Sequence, residues 1–421
     1  MMEKVFILSG VRTPIGKYGG TLRDVPAHKL SALTLNEAVK RAGIAPEQVH
    51  DVIMGQSYQN GECSNGARMA LLEAGWPEQV TGVTIDRRCC SGLEAVAWGA
   101  MKIQSGNAEV VVAGGMENMS QAEMYVPGEI KWGIGGKTDE KFGFMPRGHG
   151  AMSMWGIPFF DRIQRGRVMS QPIERYGELN SMMTWAEEAA KQENITREQA
   201  DAWAFRSHQR AVAAIEDGRL KDEIVPVPIP QRKGEPKMFE VDETPRADTQ
   251  LEKLAKLRPV YPDGVCTAGN SSSENDGAAA VVLASESKMH ELGLSPMACF
   301  SASAVAGADP TLTYPAVPDA AGKALLKANL KIDQIDLIEI QEAFAVQALA
   351  DAKLMGLKPE DYDKKINVNG SGISLGHPVG ATGAMRLITL LYEMKRRGAR
   401  YGMVAICGGG GHGIAGIVEA A

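Results

Sequence analysis

Three stretches of this chain carry side chains able to do covalent chemistry. The first is DRRCCSG, residues 86–92, where two adjacent cysteines follow the apolar run VTI and precede a small-residue helical run. By residue type alone, a cysteine is most often a buried small hydrophobe. Position argues otherwise for Cys89. A thiol at the start of a helix, beside Arg87 and Arg88, feels positive charge and free backbone N–H groups, which favour the nucleophilic thiolate. Cys90 points about 100° further round the helix and into packing. The second stretch, GSGISLGHPVGATG (370–383), holds His377 among glycines, where a turn residue or a base are the two readings. In the third, AICGGGGHG (405–413), Cys407 ends an apolar strand before four glycines whose unhindered N–H groups are suited to an oxyanion. The neighbouring His412 reads as structural.

The elements that must position these groups alternate. VFILSG, SALTLNEAVKRAG, DVIMGQS, VTID, CSGLEAVAWGAMKIQSGN and EVVVAGG switch between strand and helix patterns, which predicts helices covering a largely parallel sheet. DLIEIQ, INVN, ATGAMRLITLLYEMKRRGA and GMVAICGGG repeat that order near the other end. Each half reads strand, polar turn with a reactive side chain, small-residue helix, strand and paired glycines. Two pseudo-equivalent halves are therefore expected, with the starts of their helices meeting. We place the first half at residues 1–120 plus about 274–293 and the second at 294–421. Residues 121–273 differ in texture and read as an inserted loop domain supplying a binding surface. Within it the run MYVPGEIKWGIGGKTDEKFGFMPRGHGAMSMWGIPFF has neither period, Thr196 and Gln199 form a capping box for a helix running to Gly218, and VPVPIPQRKGEP reads as extended loop.

Composition narrows the class. The 421 residues are 44% hydrophobic and 23% charged, with 47 glycines, as in a globular protein of two or three domains. A net charge of −6 argues against nucleic-acid or anionic membrane surfaces, leaving Arg232, Lys233 and Arg246 as a local basic patch for an anionic ligand. The apolar run Val5–Leu8 is too short for a signal-peptide core or a membrane span, which points to the cytoplasm. Six scattered cysteines without CxxC pairs predict free thiols and no metal site.

With these residues in view, the chain resembles the thiolases, the acetyl-CoA C-acetyltransferases and 3-ketoacyl-CoA thiolases. CCSGLEA, GGMENMS, TAGNSSSENDGAAA, EAFA, GHPVGATGA and the Cys407–Gly413 motif occur in the family's order, from VRTPIGKYGG near the start to GIAGIVE at the end. The resemblance implies an α/β thiolase fold, with two βαβαβ-type halves layered α/β/α/β/α around the inserted loop domain. It implies reversible, CoA-dependent thiolytic cleavage of 3-ketoacyl-CoA in fatty acid metabolism, by ping-pong acyl transfer. Cys89 would be the acylated nucleophile, His377 its activator, and Cys407 the acid/base at the α-carbon. The N–H groups of Cys89 and Gly409 would form one oxyanion hole. Ser272 would contact the pantetheine arm, Arg246 the adenine, and Met182 and Phe344 the thioester, with Ala268 also among the CoA-binding residues, although Met182 also reads as core. CoA thioesters are then substrates, no cofactor is permanently bound, and a homodimer or homotetramer is expected.

Two departures stand out. Gln341 occupies the slot where the family has the asparagine that holds an oxyanion-stabilising water, and Ser181, Met182 and Met183 replace its usual His-Met-Gly. The span from Glu117 to Met182 is also longer than in short-chain biosynthetic members. A CoA-thioester binding protein with impaired Claisen activity and a related-fold ketoacyl synthase are the rival readings. Cys407 in the second thiolase cysteine's place disfavours the synthase.

Overall fold

The structure, a computed structural model, describes residues 3–128, 159–177 and 182–421. Most of the run expected to lack regular structure, residues 129–158, lies outside these, as does Ser181.

Nine principal strands share one sheet: β1 (Val5–Arg12), β2 (Asp51–Gly55), β3 (Thr81–Ile85), β4 (Val110–Asn118), β5 (Asn275–Ser285), β6 (Ala298–Gly307), β7 (Leu337–Ile340), β8 (Tyr401–Gly408) and β9 (His412–Ala420). Their order is β7-β8-β9-β6-β1-β5-β4-β2-β3. The path is two copies of one pattern. In the first, β2 lies parallel between β3 and β4, with β5 and then β1 added antiparallel. In the second, β7 lies parallel to β8, Ile366 bridges Ile338 where a counterpart of β3 belongs, and β9 and β6 are added antiparallel. Only Phe6↔Cys299 and Ile7↔Ala298 join the copies across β1 and β6. The sheet is thus mixed rather than largely parallel. The reason lies in the connections: a glycine turn joins β8 to β9, and a tight turn can join only antiparallel strands.

Helices complete the layers. α1 (Ala27–Ala42) covers β1 and β5 on one outside, and α5 (Ala316–Ala328) covers β6 and β9 on the other. Between the half-sheets lie α2 (Ser91–Gln104) and α7 (Thr382–Arg397), packed on each other. Glycine makes that contact possible. A Cβ on Gly383 would sit 2.4 Å from the Leu93 nitrogen, and one on Gly92 would sit 2.9 Å from the Ala384 nitrogen. β5 is buried along its whole length, as its continuous apolar run requires.

Between β4 and β5 the chain leaves the sheet. The excursion carries α3 (Met182–Glu193) and α4 (Arg197–Glu216), both packed on α6 (Ala345–Leu354) of the second half. The capping box at Thr196 and Gln199 is present. The proline-rich segment is not all loop: Val227–Ile229 pairs with Lys237–Phe239 as a short ribbon, leaving Arg232 and Lys233 exposed at its turn. Among the described residues no helix is long and apolar enough to cross a membrane.

Gly383→Ala tests the helix contact. The methyl meets backbone, which cannot rotate away, so overpacking of about 1–3 kcal/mol should exceed the gain of up to about 1 kcal/mol from removing a helical glycine. The thermal midpoint should fall; a rise would contradict the packing.

Candidate active site

Cys89 sits on a bend between β3 and α2, one residue before the N-cap Cys90, so it precedes the helix rather than opening it. Arg88 takes φ +53, a left-handed conformation that costs energy for a non-glycine residue, and the turn is pinned around it. Ser57 Oγ and Ser91 Oγ donate to the Arg88 carbonyl at 3.0 and 2.6 Å, and the Arg87 N–H donates to Ser91 Oγ at 2.7 Å. The Cys89 sulfur receives the backbone N–H of Gly409 and its own N–H, with the Arg88 cation nearby.

These groups favour a thiolate, yet burial outweighs them and pushes the Cys89 thiol up to about 11. This corrects the expectation of a depressed value. Sequence displays the cations and the helix but not the depth at which the sulfur lies. Cys89 is therefore a thiol at rest and needs a base.

His377 has the makings of one. It stands in a turn five residues before α7, bridged to Glu274, and does not itself open the helix. Its N–H donates to Asn275 Oδ1 at 2.8 Å, and its Nδ1 lies 2.7 Å from Thr382 Oγ1. That hydroxyl donates its proton to the Pro378 carbonyl at 2.9 Å, so it must accept from Nδ1–H. The remaining lone pair is on Nε2, which is buried and finds no partner among the described residues. Burial, then Arg386 and Arg167, lowers the His377 pKa to about 3, so the ring is neutral. Arg386 also donates to the Gly376 carbonyl at 3.1 Å.

Cys407 is the next-to-last residue of β8, is 2% exposed, and is raised well above the ordinary thiol range by burial and then by Cys89. Cys90 is fully buried and donates to the Ile406 carbonyl at 3.5 Å, the packing role expected of it. The glycine turn lets everything close in. A Cβ on Gly408 would lie 3.0 Å from the Cys90 sulfur, and one on Gly409 would lie 3.1 Å from Met182 Cε. His412 begins β9 and is half-buried.

Gln341 follows β7. It is 0% exposed, its N–H donates to the Ala405 carbonyl at 3.0 Å, and neither end of its amide has a partner among the described residues. Leaving each such group unmade costs about 1–3 kcal/mol, so the amide keeps one donor end and one acceptor end open to a partner.

The binding candidates divide. Ser272 donates its N–H to the Ala343 carbonyl at 2.9 Å beside Phe344, whose ring meets Trp185 edge-on at 5.4 Å. Met182 is half-buried against Gly409. Arg246 stands apart, on a cavity of about 380 Å³ along α4 with Phe205, Gln209, Val212 and Leu251, and its N–H donates to His208 Nδ1 at 3.3 Å. Ala268 is exposed in the loop before Asn270. Among the described residues no three side chains are grouped as metal ligands.

Sequence reasoning missed Glu117. It is 0% exposed and accepts the N–H groups of Ser57 (3.0 Å), Tyr58 (3.1 Å) and Gly380 (2.8 Å). Burial raises its carboxyl to about 7. Its sequence signals are a place in the GGMENMS motif and a charge inside a strand that otherwise reads apolar and glycine-rich.

Comparison with known proteins agrees with the resemblance. The thiolase N-terminal domain model matches residues 5–287 and the thiolase C-terminal domain model residues 294–420. An acetyl-CoA acetyltransferase of Syntrophomonas wolfei is 43% identical, covering 100% of both chains. One from Pseudomonas aeruginosa is 41% identical over 98% of each, and a probable acetyl-CoA acyltransferase of Staphylococcus aureus is 38% identical over 99% of each. The crystal structure of the Bacillus anthracis acetyl-CoA acetyltransferase superposes with a TM-score of 0.90 at 42% identity, covering 100% of this chain and 99% of that one.

Burial of Cys89 predicts its pH response. Because its pKa is raised to about 11, alkylation of the free protein by iodoacetamide should accelerate about tenfold per pH unit from 7 to 9. A rate at Cys89, followed by peptide mass, that levels off by pH 8 would contradict the burial argument.

Proposed function

The chain belongs to the thiolase family of acyltransferases, and we propose that it cleaves 3-ketoacyl-CoA with CoA, reversibly, through an acyl-cysteine on Cys89. The observation that carries this reading is the Cys89 sulfur held against the Gly409 N–H close to the buried Cys407. In cleavage, His377 Nε2 takes the Cys89 proton as the sulfur attacks the 3-keto carbon. The N–H groups of Cys89 and Gly409 then hold the oxyanion. As the C–C bond breaks, the departing acetyl-CoA enolate takes a proton at carbon from Cys407. The Cys407 thiolate next takes the proton of incoming CoA, whose sulfur displaces the acyl group. The oxyanion returns the Cys89 sulfur as leaving group, and His377 gives back its proton. Protons balance over the cycle, and a resting Cys407 thiol suits the acid in this direction.

Gln341 supplies an amide for the enolate oxygen in the slot of the family's asparagine, on a stem one methylene longer. Its buried, unpartnered amide supports direct donation over loss of activity. Residues 121–273 would handle the CoA arm, with Arg246 toward the adenine and Ser272 and Ala268 along the pantetheine. CoA is substrate in this scheme, and no bound cofactor has a step. A homodimer is supported by β3, the sheet's edge strand, and by exposed Val83, Trp98 and Met101 along β3 and α2. Six free cysteines support a reducing, cytoplasmic setting.

Purified protein should thiolyse acetoacetyl-CoA. Cys407→Ser should still add 42 Da, about one acetyl group, at Cys89 when given acetyl-CoA while losing most turnover; an unacylated variant would reverse the two cysteines' roles. Gln341→Ala should lose about 10²-fold in kcat with Cys89 acylation little changed, and full turnover would remove Gln341 from the oxyanion site.

A further inference from the structure

Beside Gln341 stands a carboxylate that the reaction does not use. Glu342 is 1% exposed, and four donors converge on it. Its Oε1 accepts Trp203 Nε1–H and Asn367 Nδ2–H, both at 2.9 Å. Its Oε2 accepts the Ser207 hydroxyl at 2.6 Å and the Ile373 N–H at 3.3 Å. Trp203 and Ser207 are one turn apart on α4, so they share a face.

The other two donors belong to the walls around Gln341. Asn367 grips the residue before it, accepting the Ile340 N–H at 2.8 Å and donating to the Ile340 carbonyl at 2.9 Å. Ile373 follows Gly372, which lies so close to the Gln341 amide that a Cβ there would be 2.3 Å from Nε2. One buried charge thus fastens both sides of the Gln341 amide's seat to α4.

α4 also faces the other way. Phe205 and Gln209 lie two residues beyond Trp203 and Ser207, about 200° round the helix, and line the cavity that holds Arg246. The helix therefore presents one face to that cavity and the opposite face to Glu342.

We propose that Glu342 is a positioning residue: it holds the Gln341 amide on the enolate oxygen and ties that placement to α4, the helix that walls the CoA cavity. The proposal rests on the thiolase reading above. The charge is needed for the geometry. A carboxylate accepts all four donors, whereas an amide in its place turns an NH2 toward two of them.

The test is a double-mutant cycle with Gln341, read in acetoacetyl-CoA thiolysis and in acylation of Cys89 by acetyl-CoA. Glu342→Gln should lower kcat about 10-fold to 10²-fold through misplacement and leave the acylation rate within about twofold. Glu342→Gln combined with Gln341→Ala should be no slower than Gln341→Ala alone, because the same donor has already been removed. Trp203→Phe and Ser207→Ala each remove one donor, should show smaller losses with the same non-additivity, and serve if Glu342→Gln fails to fold. Full additivity in the cycle, parent-like kcat in Glu342→Gln, or equal losses in acylation and thiolysis would each overturn the proposal. A parent protein without thiolysis would instead overturn the proposed activity.

Discussion

Much of this structure is arranged around one carboxylate buried where the two halves meet. Glu117 projects from the end of β4 and gathers N–H groups from Ser57 and Tyr58 on one side and Gly380 on the other. Ser57 in turn donates to the Arg88 carbonyl, next to Cys89, while Gly380 is three residues from His377. The bend at Cys89 and the turn at His377 are therefore fastened to the same two oxygens. Such a contact demands glycine around it: a Cβ on Gly115 would lie 2.2 Å from the Gly380 carbonyl, and one on Gly380 would lie 2.6 Å from Gln56 Cα. The close approach of α2 and α7 at Gly92 and Gly383 continues the same seam.

The depth of that seam sets the acid–base behaviour. Burial keeps both Cys89 and Cys407 protonated and His377 neutral, so the resting site carries thiols and a lone pair rather than an ion pair. Low polarity that raises a thiol's pKa also strengthens the N–H groups aimed at a developing oxyanion. The site thus trades a ready thiolate for stronger stabilisation once charge appears. In the proposed reaction a proton moves during the first step, and Thr382, by fixing the tautomer of His377, leaves Nε2 as the atom that can receive it.

What was legible in the sequence were the side chains proposed to do chemistry and the repeat that carries them. Cys89, His377 and Cys407 announce themselves by type and by their place in the repeated pattern, and strand and helix alternation gave the layers. Strand direction was not legible, because it depends on how β5 and β9 return to the sheet after a long excursion and a glycine turn. Nor was the Cys89 pKa, since sequence shows Arg87 and Arg88 but not the desolvation that opposes them. Glu117, Glu342 and Arg386 escaped for a common reason. Each reads as an ordinary charge until the fold buries it against hydrogen-bond partners that the local sequence does not show. Arg246 lines a cavity along α4, away from the other candidates.

By bracing this seam, Glu117 would place Cys89 and His377 without touching substrate. Its most direct test is the rate of acyl-enzyme formation on Cys89 in Glu117→Gln, measured by quenched-flow intact mass after mixing with acetyl-CoA. An amide cannot accept all three N–H groups, so the two turns should drift, and misplacement of about 1 Å costs about 10²-fold. We expect a loss of that order in a protein that still unfolds in one cooperative transition. Acylation at the parent rate by a folded Glu117→Gln protein would contradict the account.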